Sequence, residues 1–152
     1  MKTTQQYGKK IDRALGMWVK LARAFHTMQA LVDRDIARYG LTTPQFGALE
    51  CLGHLGPMTI GSLCKKMLVS GGNMTVVIDN LEKAGYVERV RDTIDRRKIL
   101  VRLTQKGRRL FNKIFIGHAE YITEIASVLT AEEQDELGRL LKKLGKNLEP
   151  FR

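Results

Sequence analysis

The fold of this chain is decided by residues 59–104, TIGSLCKKMLVSGGNMTVVIDNLEKAGYVERVRDTIDRRKILVRLT. Apolar residues at helical spacing predict a short helix after Thr59 and a second helix over about 70–84, separated by a tight, glycine-containing turn. Two basic stretches rich in β-branched residues follow at 86–91 and 98–103, and they indicate a β-hairpin. The tip of this hairpin is too polar to bury. The segment therefore predicts a helix-turn-helix followed by a projecting wing.

Long helices flank this segment on both sides. An apolar stripe with steps of three and four predicts one helix over 11–39, and Thr104 can cap a second long helix after the hairpin. Thr130 and Glu133 form a capping box for a last helix, which carries a leucine face over 131–148. These stripes exceed what one small winged domain covers, so we expect two copies of the chain to pair through them. Packing of the helices on each other within one chain is the alternative.

The chain carries a surplus of positive charge, with 26 Lys and Arg against 16 Asp and Glu and a formal net charge of +10. The surplus is densest over 83–113, where eleven basic residues accompany three acidic ones. Such a stripe attracts polyanions, above all nucleic acid, although a solvated surface is the plainer alternative. No apolar run approaches the roughly 18 residues of a membrane span, and MKTTQQYGKK has no apolar signal core. We therefore expect a soluble cytoplasmic protein without a membrane partner.

The second helix of the helix-turn-helix presents short polar or small residues opposite its apolar stripe. A DNA major groove, about 12 Å wide, admits a helix, and there Asn pairs with an adenine edge while Thr and Val methyl groups meet thymine methyls. We assign base contacts to Asn73, Thr75 and Val76. Ser70 and Gly72 lie at the positive end of this helix, where backbone N–H groups can bind a phosphate. Ser70 is equally well placed as an ordinary helix cap.

The wing supplies arginines to the same surface. Arg96 and Arg97 at its tip fit the narrow minor groove of A·T-rich DNA, where negative potential attracts guanidinium groups. Asp95 would be repelled by DNA unless it pairs with an arginine, so we expect it to orient either Arg97 or a strand arginine. The strand arginines Arg89 and Arg91 are alternative partners, and a turn bonded to its own backbone is another role for Asp95. The candidate phosphate contacts, which position the protein without reading sequence, are Lys65, Lys66, Lys98 and Arg102.

The order of these elements and four stretches of sequence resemble the multiple-antibiotic-resistance regulator (MarR) family of bacterial transcription factors. The stretches are LTTPQFGALECL (41–52), SLCKKM (62–67), TVVIDNLEKAGYVERV (75–90) and DTIDRRKILVRLTQKG (92–107). The resemblance covers about residues 11–148. It implies a mainly α fold with a small β-hairpin wing, a winged helix-turn-helix with long N- and C-terminal dimerisation helices.

The resemblance also implies a homodimer that binds double-stranded DNA, usually as a repressor, and is often released by a small phenolic or aromatic ligand or by cysteine oxidation. By the match of motifs, Asp95 and Arg97 take the positions of the family's wing-tip aspartate and arginine. The sequence departs from the family at Val76, where many members carry arginine or another polar residue, and at Gly71 and Gly72. Two recognition helices related by a two-fold axis would lie about 34–36 Å apart and match a palindromic operator.

We expect a single domain over residues 1–152, because a domain typically contains about 150 residues. Within it, 11–40 and 105–150 are expected to form the helical dimerisation region, and 41–104 the winged helix-turn-helix DNA-binding region. A chain of this length buries enough surface to fold without a disulfide or a structural metal, so no cofactor is expected.

A small aromatic effector is expected as a further partner, because aromatic side chains and histidines recur on the flanking helices. They can line an apolar pocket in which the imidazoles are polar handles, although core packing explains the same residues. The candidates are Trp18, Phe25, His26, Met28, Phe46, Phe111, Phe115 and His118.

The two cysteines, Cys51 and Cys64, fit core positions better than a disulfide framework or a zinc site. The chain has no Cys-x-x-Cys pair and no closely spaced pair of histidines. A thiol switch needs an exposed cysteine of low pKa near positive charge. Cys64 has Lys65 and Lys66 beside it but falls on the inward stripe of its helix, so a redox-sensing regulator is a disfavoured alternative.

An enzyme is the alternative from another class, and the sequence argues against it. The chain has no G-x-S-x-G, G-x-x-x-x-G-K-[ST], G-x-G-x-x-G or H-E-x-x-H motif, and its three histidines give no evident catalytic cluster. A non-sensing architectural DNA-binding protein is the other alternative. It would use the same basic stripe with little preference for an operator over random duplex.

Overall fold

The computed structural model of the chain describes residues 7–67 and 70–148. Its elements in chain order are α1 (Lys9–Ala37), α2 (Thr43–Leu55), α3 (Ile60–Met67), α4 (Gly71–Lys83), β1 (Val87–Arg91), β2 (Ile99–Leu103), α5 (Gln105–Ala126) and α6 (Ala131–Lys146). The expected fold class, mainly α with a small β-hairpin wing, is confirmed. No helix within the described residues is both long and apolar enough to cross a bilayer.

The chain divides into two compact units, the first ending at His118 and the second beginning at Ala119. The single domain expected over 1–152, with its dimerisation and DNA-binding regions, stays a prediction. Parts of that expected domain, residues 1–6, 68–69 and 149–152, lie outside the described residues.

The core of the first unit lies between the helix-turn-helix and the hairpin. Strands β1 and β2 are antiparallel, with Val87 opposite Leu103. Met58 extends this sheet by exchanging two backbone hydrogen bonds with Val101, of 3.1 and 2.8 Å. The side chains that fill the core are Leu49, Leu52, Leu63, Met74, Ile78, Leu81, Val87 and Val101. Burial of these residues fixes α4 and the wing in one rigid layer, since well-packed interiors tolerate little displacement.

The start of α5 approaches the start of β1 very closely. Thr104 caps α5 by accepting a hydrogen bond from the backbone N–H of Gly107, and its own backbone N–H donates to the carbonyl of Tyr86, both at 3.0 Å. A Cβ atom placed on Gly107 would lie 1.9 Å from that same Tyr86 oxygen. Glycine is therefore required here because any side chain would overlap the backbone of the strand.

A buried hydrogen bond between Asp35 and His118 joins α1 to α5 within the first unit. The Oδ2 atom of Asp35 lies 2.9 Å from Nδ1 of His118, and both side chains are buried. Arg38 also pairs with Asp35, and the ring of Phe46 packs edge-on against His118 with 4.6 Å between centroids. The pair therefore holds three helices, α1, α2 and α5, in contact around one carboxylate.

The second unit begins within α5 and contains α6. As the sequence predicts, α6 starts at a capping box: Thr130 accepts from the backbone N–H of Glu133 at 3.3 Å, and Glu133 accepts from that of Thr130 at 2.9 Å. The leucine face of this helix is exposed in the single chain at Leu137, Leu140 and Leu141, and Leu148 just after the helix is exposed as well.

Candidate nucleic-acid interface

Helix α4 has one buried and one exposed face. Met74, Ile78 and Leu81 anchor it in the core. The exposed residues of its first half are Gly71, Gly72, Asn73, Thr75 and Val76. The residues to which the sequence assigned base contacts therefore share one solvent-facing surface, small enough in cross-section for the backbone to approach a partner closely. Their contacts with bases stay a prediction.

The first turn of α4 has no side-chain cap. Ser70 precedes the helix in an extended conformation, and its side chain makes no capping hydrogen bond. Nothing lies within 4 Å of a Cβ atom placed on Gly71 or Gly72. The structure therefore does not support the alternative that Ser70 is an ordinary side-chain cap. The N–H groups of this turn have no acceptor within their own helix and can donate hydrogen bonds to an anion.

Helix α3 presents two exposed lysines. Leu63 anchors α3 in the core, while Lys65 and Lys66 in its last turn are exposed. Their exposure fits the predicted phosphate contacts, which stay a prediction.

Replacing Lys66 by alanine is expected to lower the slope of log K against log salt by about one, because a phosphate contact releases roughly one counterion. Affinity for all duplexes should fall alike, since such a contact carries no sequence information. Fluorescence anisotropy at four salt concentrations measures this slope. Lys10→Ala, which removes an exposed lysine outside the proposed DNA-binding and dimerisation regions, is the matched control and should leave the slope unchanged.

The wing tip is organised around Asp95. Its Oδ1 atom accepts hydrogen bonds from the backbone N–H and the Nε of Arg97, both at 3.2 Å, and its Oδ2 lies 3.7 Å from Nζ of Lys98. The backbone N–H of Arg97, followed by its side chain, lowers the pKa of Asp95, so this carboxyl is ionised at neutral pH. The expected pairing of Asp95 with Arg97 is confirmed. The Arg97 side chain remains 92% exposed, and Arg96 beside it is exposed as well.

A second ion-pair network, which we call the Arg89 clamp, joins the strand β1 to α4. Nη2 of Arg89 lies 2.6 Å from Oδ1 of Asp79, Nη1 pairs with Glu82, and the backbone N–H of Arg89 donates to Glu82 at 3.0 Å. The hydrogen bond to Asp79 is the largest cause that raises the pKa of Arg89. The clamp therefore neutralises a carboxylate on the recognition helix and fixes that helix against the wing. Arg89 is not the partner of Asp95, an alternative that the sequence left open.

The basic stripe of residues 83–113 is partly structural. Arg102, a candidate phosphate contact, donates to Glu88 across the hairpin at 2.8 Å. Lys106 and Arg108 donate to backbone carbonyls at the ends of α4 and α2, at 2.8 and 2.7 Å. The summed charge of the stripe therefore overstates the positive surface available to a polyanion.

The residues proposed to line an effector pocket occupy different parts of the first unit. Phe111 and Phe115 pack on each other at 5.3 Å, and His54, which the sequence analysis did not single out, lies edge-on to both. Phe46 packs against the buried His118. The remaining candidates lie on exposed parts of α1: Trp18, Phe25, His26 and Met28. An effector site at these residues stays a prediction.

Both cysteines are half-buried free thiols. Burial, followed by the charge of Glu50, raises the pKa of Cys51, and Lys66 opposes this shift. Cys51 is therefore protonated at neutral pH, which makes it a poor nucleophile toward oxidants.

Comparison with known proteins agrees with this geometry. The MarR family model matches residues 41–99. An uncharacterized HTH-type transcriptional regulator of Bacillus subtilis (strain 168), YkoM, is 36% identical over 137 residues, which cover 90% of this chain and 89% of that protein.

Two solved structures share the fold. A MarR mutant from E. coli complexed with operator DNA superposes with a TM-score of 0.77 and 25% identity, over 90% of this chain and 99% of that chain. Bordetella bronchiseptica BpsR, whose DNA binding is regulated by 6-hydroxynicotinic acid, gives a TM-score of 0.73 and 29% identity, over 82% and 89% of the two chains.

The fold and the exposed face of α4 define a winged helix-turn-helix DNA-binding protein. The chain belongs to the MarR family and is a DNA-binding transcriptional regulator. The relatives that it matches are named as regulators, which implies a non-enzymatic role.

Proposed function

We propose that this protein binds a palindromic operator as a homodimer and thereby represses transcription. The observation that carries the proposal is the exposed surface of small and polar side chains on α4, rigidly seated by its buried face and flanked by a wing whose Arg97 is held by Asp95. A rigid helix with a slim outer face can enter a major groove while the wing reaches the adjacent minor groove.

In this complex each half of the dimer reads one half-site. Asn73 bonds an adenine edge, and Thr75 and Val76 contact thymine methyl groups. The Oγ1 atom of Thr75 donates to the carbonyl of Gly71 at 3.1 Å, which restricts the rotamers open to its methyl group. The residues proposed to hold phosphates are Lys65, Lys66, Ser70, Gly72 and Lys98.

Exposed apolar side chains support the homodimer. In the single chain, large hydrophobic residues of α1 and the leucine face of α6 are open to solvent, and pairing with a second copy would bury them. The dimerisation region proposed is 11–40 and 105–150. A two-fold axis would place the recognition helices about 34–36 Å apart, one turn of DNA.

Selection of bound sequences from a random duplex pool tests this proposal. We expect enrichment of an inverted repeat whose half-sites are centred about 10–10.5 base pairs apart. A pool that shows no enriched repeat after selection would instead favour an architectural DNA-binding protein.

Arg97→Ala is expected to weaken binding to the selected operator by about 1–3 kcal/mol, roughly 5- to 150-fold, because it removes a guanidinium from the minor groove. Gel-shift titration at fixed salt measures the loss. Arg139→Ala is the matched control, since Arg139 is an exposed arginine that pairs with Glu136 in α6 at 2.7 Å. If both variants bind as the wild type does, Arg97 is not a groove contact.

We further propose that a small aromatic or phenolic ligand releases the protein from DNA, with Phe111 and Phe115 in its site. Regulation of BpsR by 6-hydroxynicotinic acid is the precedent in a protein of this fold. Titration of phenolic ligands and, separately, of an oxidant into the operator complex tests this. Release by ligand alone supports the proposal, release by oxidant alone supports a thiol switch, and no release by either supports a regulator without a sensor.

A further inference from the structure

The wing tip carries an apolar side chain for which the proposed function gives no role. Ile94 is 95% exposed, the highest value for a large hydrophobic residue in the part of the chain that the structure describes. Single exposed apolar residues are common on protein surfaces. Ile94 is informative because of where it lies, at the tip of the hairpin that carries Arg96 and Arg97.

The backbone holds Ile94 in a defined position. Its N–H donates to Oδ1 of Asp92 at 2.9 Å, so an Asx turn presents the side chain. The N–H of Asp92 donates to the carbonyl of Lys98 at 3.0 Å, and the N–H of Lys98 donates to the carbonyl of Asp95 at 2.8 Å. The tip is thus a closed loop. A β-branched side chain on such a loop has few rotamers to lose when it becomes buried.

The charges around Ile94 indicate what can cover it. Arg96 and Arg97, two and three residues after Ile94, are exposed, and the intervening Asp95 pairs with Arg97 and Lys98. A partner that covers Ile94 must therefore have an apolar interior surrounded by negative charge. The DNA minor groove has this character, because phosphates line its rims and deoxyribose rings form its walls. Minor-groove proteins also insert Ile and similar apolar side chains between base steps.

We propose that Ile94 enters the minor groove of the operator and packs against the deoxyribose walls, beside the groove contacts of Arg96 and Arg97. The inference rests on the proposed function and adds an apolar contact to it. Because this contact neutralises no phosphate, it contributes to affinity without contributing to the salt dependence of binding.

The test uses the full-length protein and the operator recovered by selection. Ile94→Ala should weaken operator binding by about 5- to 30-fold through lost burial, and Ile94→Val by only about two-fold. The slope of log K against log salt should not change in either variant. Hydroxyl-radical footprinting should show weaker protection of the deoxyriboses beneath the wing in Ile94→Ala. Tyr7→Ala, which trims an exposed side chain ahead of α1 and outside the proposed DNA-binding and dimerisation regions, is the control and should bind as the wild type does.

The outcomes separate this inference from the proposed function. If the wild type prefers its operator and Ile94→Ala binds within two-fold of it, the contact is overturned while the proposed function stands. If the slope of log K against log salt falls by one in Ile94→Ala, the loss of affinity comes from displaced arginines. This result would also overturn the contact. If the wild type shows no preference for the operator, the proposed function fails and this inference fails with it. Thermal unfolding of each variant confirms that the fold is intact.

Discussion

Gly107→Ala is expected to lower the free energy of unfolding by about 3 kcal/mol or more, because overpacking against a rigid neighbour is among the most damaging core changes. The added Cβ would lie 1.9 Å from the carbonyl oxygen of Tyr86. That oxygen belongs to the backbone and cannot rotate away. The overlap can be removed only if α5 moves away from the start of β1. This movement breaks the 3.0 Å hydrogen bond between Thr104 and Tyr86.

Urea unfolding at a fixed protein concentration measures this loss, since the stability of a dimer depends on concentration. Gly61→Ala is the matched control. A Cβ atom on Gly61 meets only Oγ1 of Thr59, at 3.9 Å, and alanine in a helix is favoured over glycine by about 0.5–1 kcal/mol. Wild-type stability in Gly107→Ala would contradict the close approach of α5 to β1.

Arg89→Ala is expected to weaken operator binding by about 2–4 kcal/mol, roughly 30- to 1000-fold, because it opens the Arg89 clamp. The substitution would remove the cation that pairs with the carboxylates of Asp79 and Glu82. The side chain of Asp79 is 45% exposed and lies on the helix proposed to enter the groove. Uncompensated negative charge facing phosphates opposes binding. Folding should lose only about 1 kcal/mol, since partly exposed ion pairs contribute little to stability.

Anisotropy titrations and urea unfolding of the same samples compare the two losses. Adding Asp79→Asn to Arg89→Ala should recover part of the affinity, because the repulsive charge is removed. Arg139→Ala, which breaks an exposed pair in α6, should change neither quantity by more than about 0.5 kcal/mol. Equal losses of affinity and stability in Arg89→Ala would contradict a role for the clamp in DNA binding.

The sequence predicts the features of this protein that depend on neighbouring residues. The apolar spacing of Met74, Ile78 and Leu81 identified the buried face of α4 and hence its exposed face. The pairing of Asp95 with Arg97 was predictable because the two residues lie two apart at a turn, where short side chains reach the following backbone.

Contacts between distant segments were beyond the sequence pattern. Asp35 and His118 are 83 residues apart, and nothing in the spacing of either one indicates the other. Asp79 and Glu82 lie three apart and so share a face of α4, which hints at a common cation, but the choice of Arg89 depends on how β1 packs. For the same reason, the sequence did not distinguish structural cations of the basic stripe from those open to a ligand.

The most direct test of the account is competition between the selected operator and a random duplex of equal length for the wild-type protein at one fixed salt concentration. We predict that the operator is preferred by at least about 10³-fold, as for sequence-specific regulators. A ratio near one would contradict specific recognition by the exposed face of α4 and the wing.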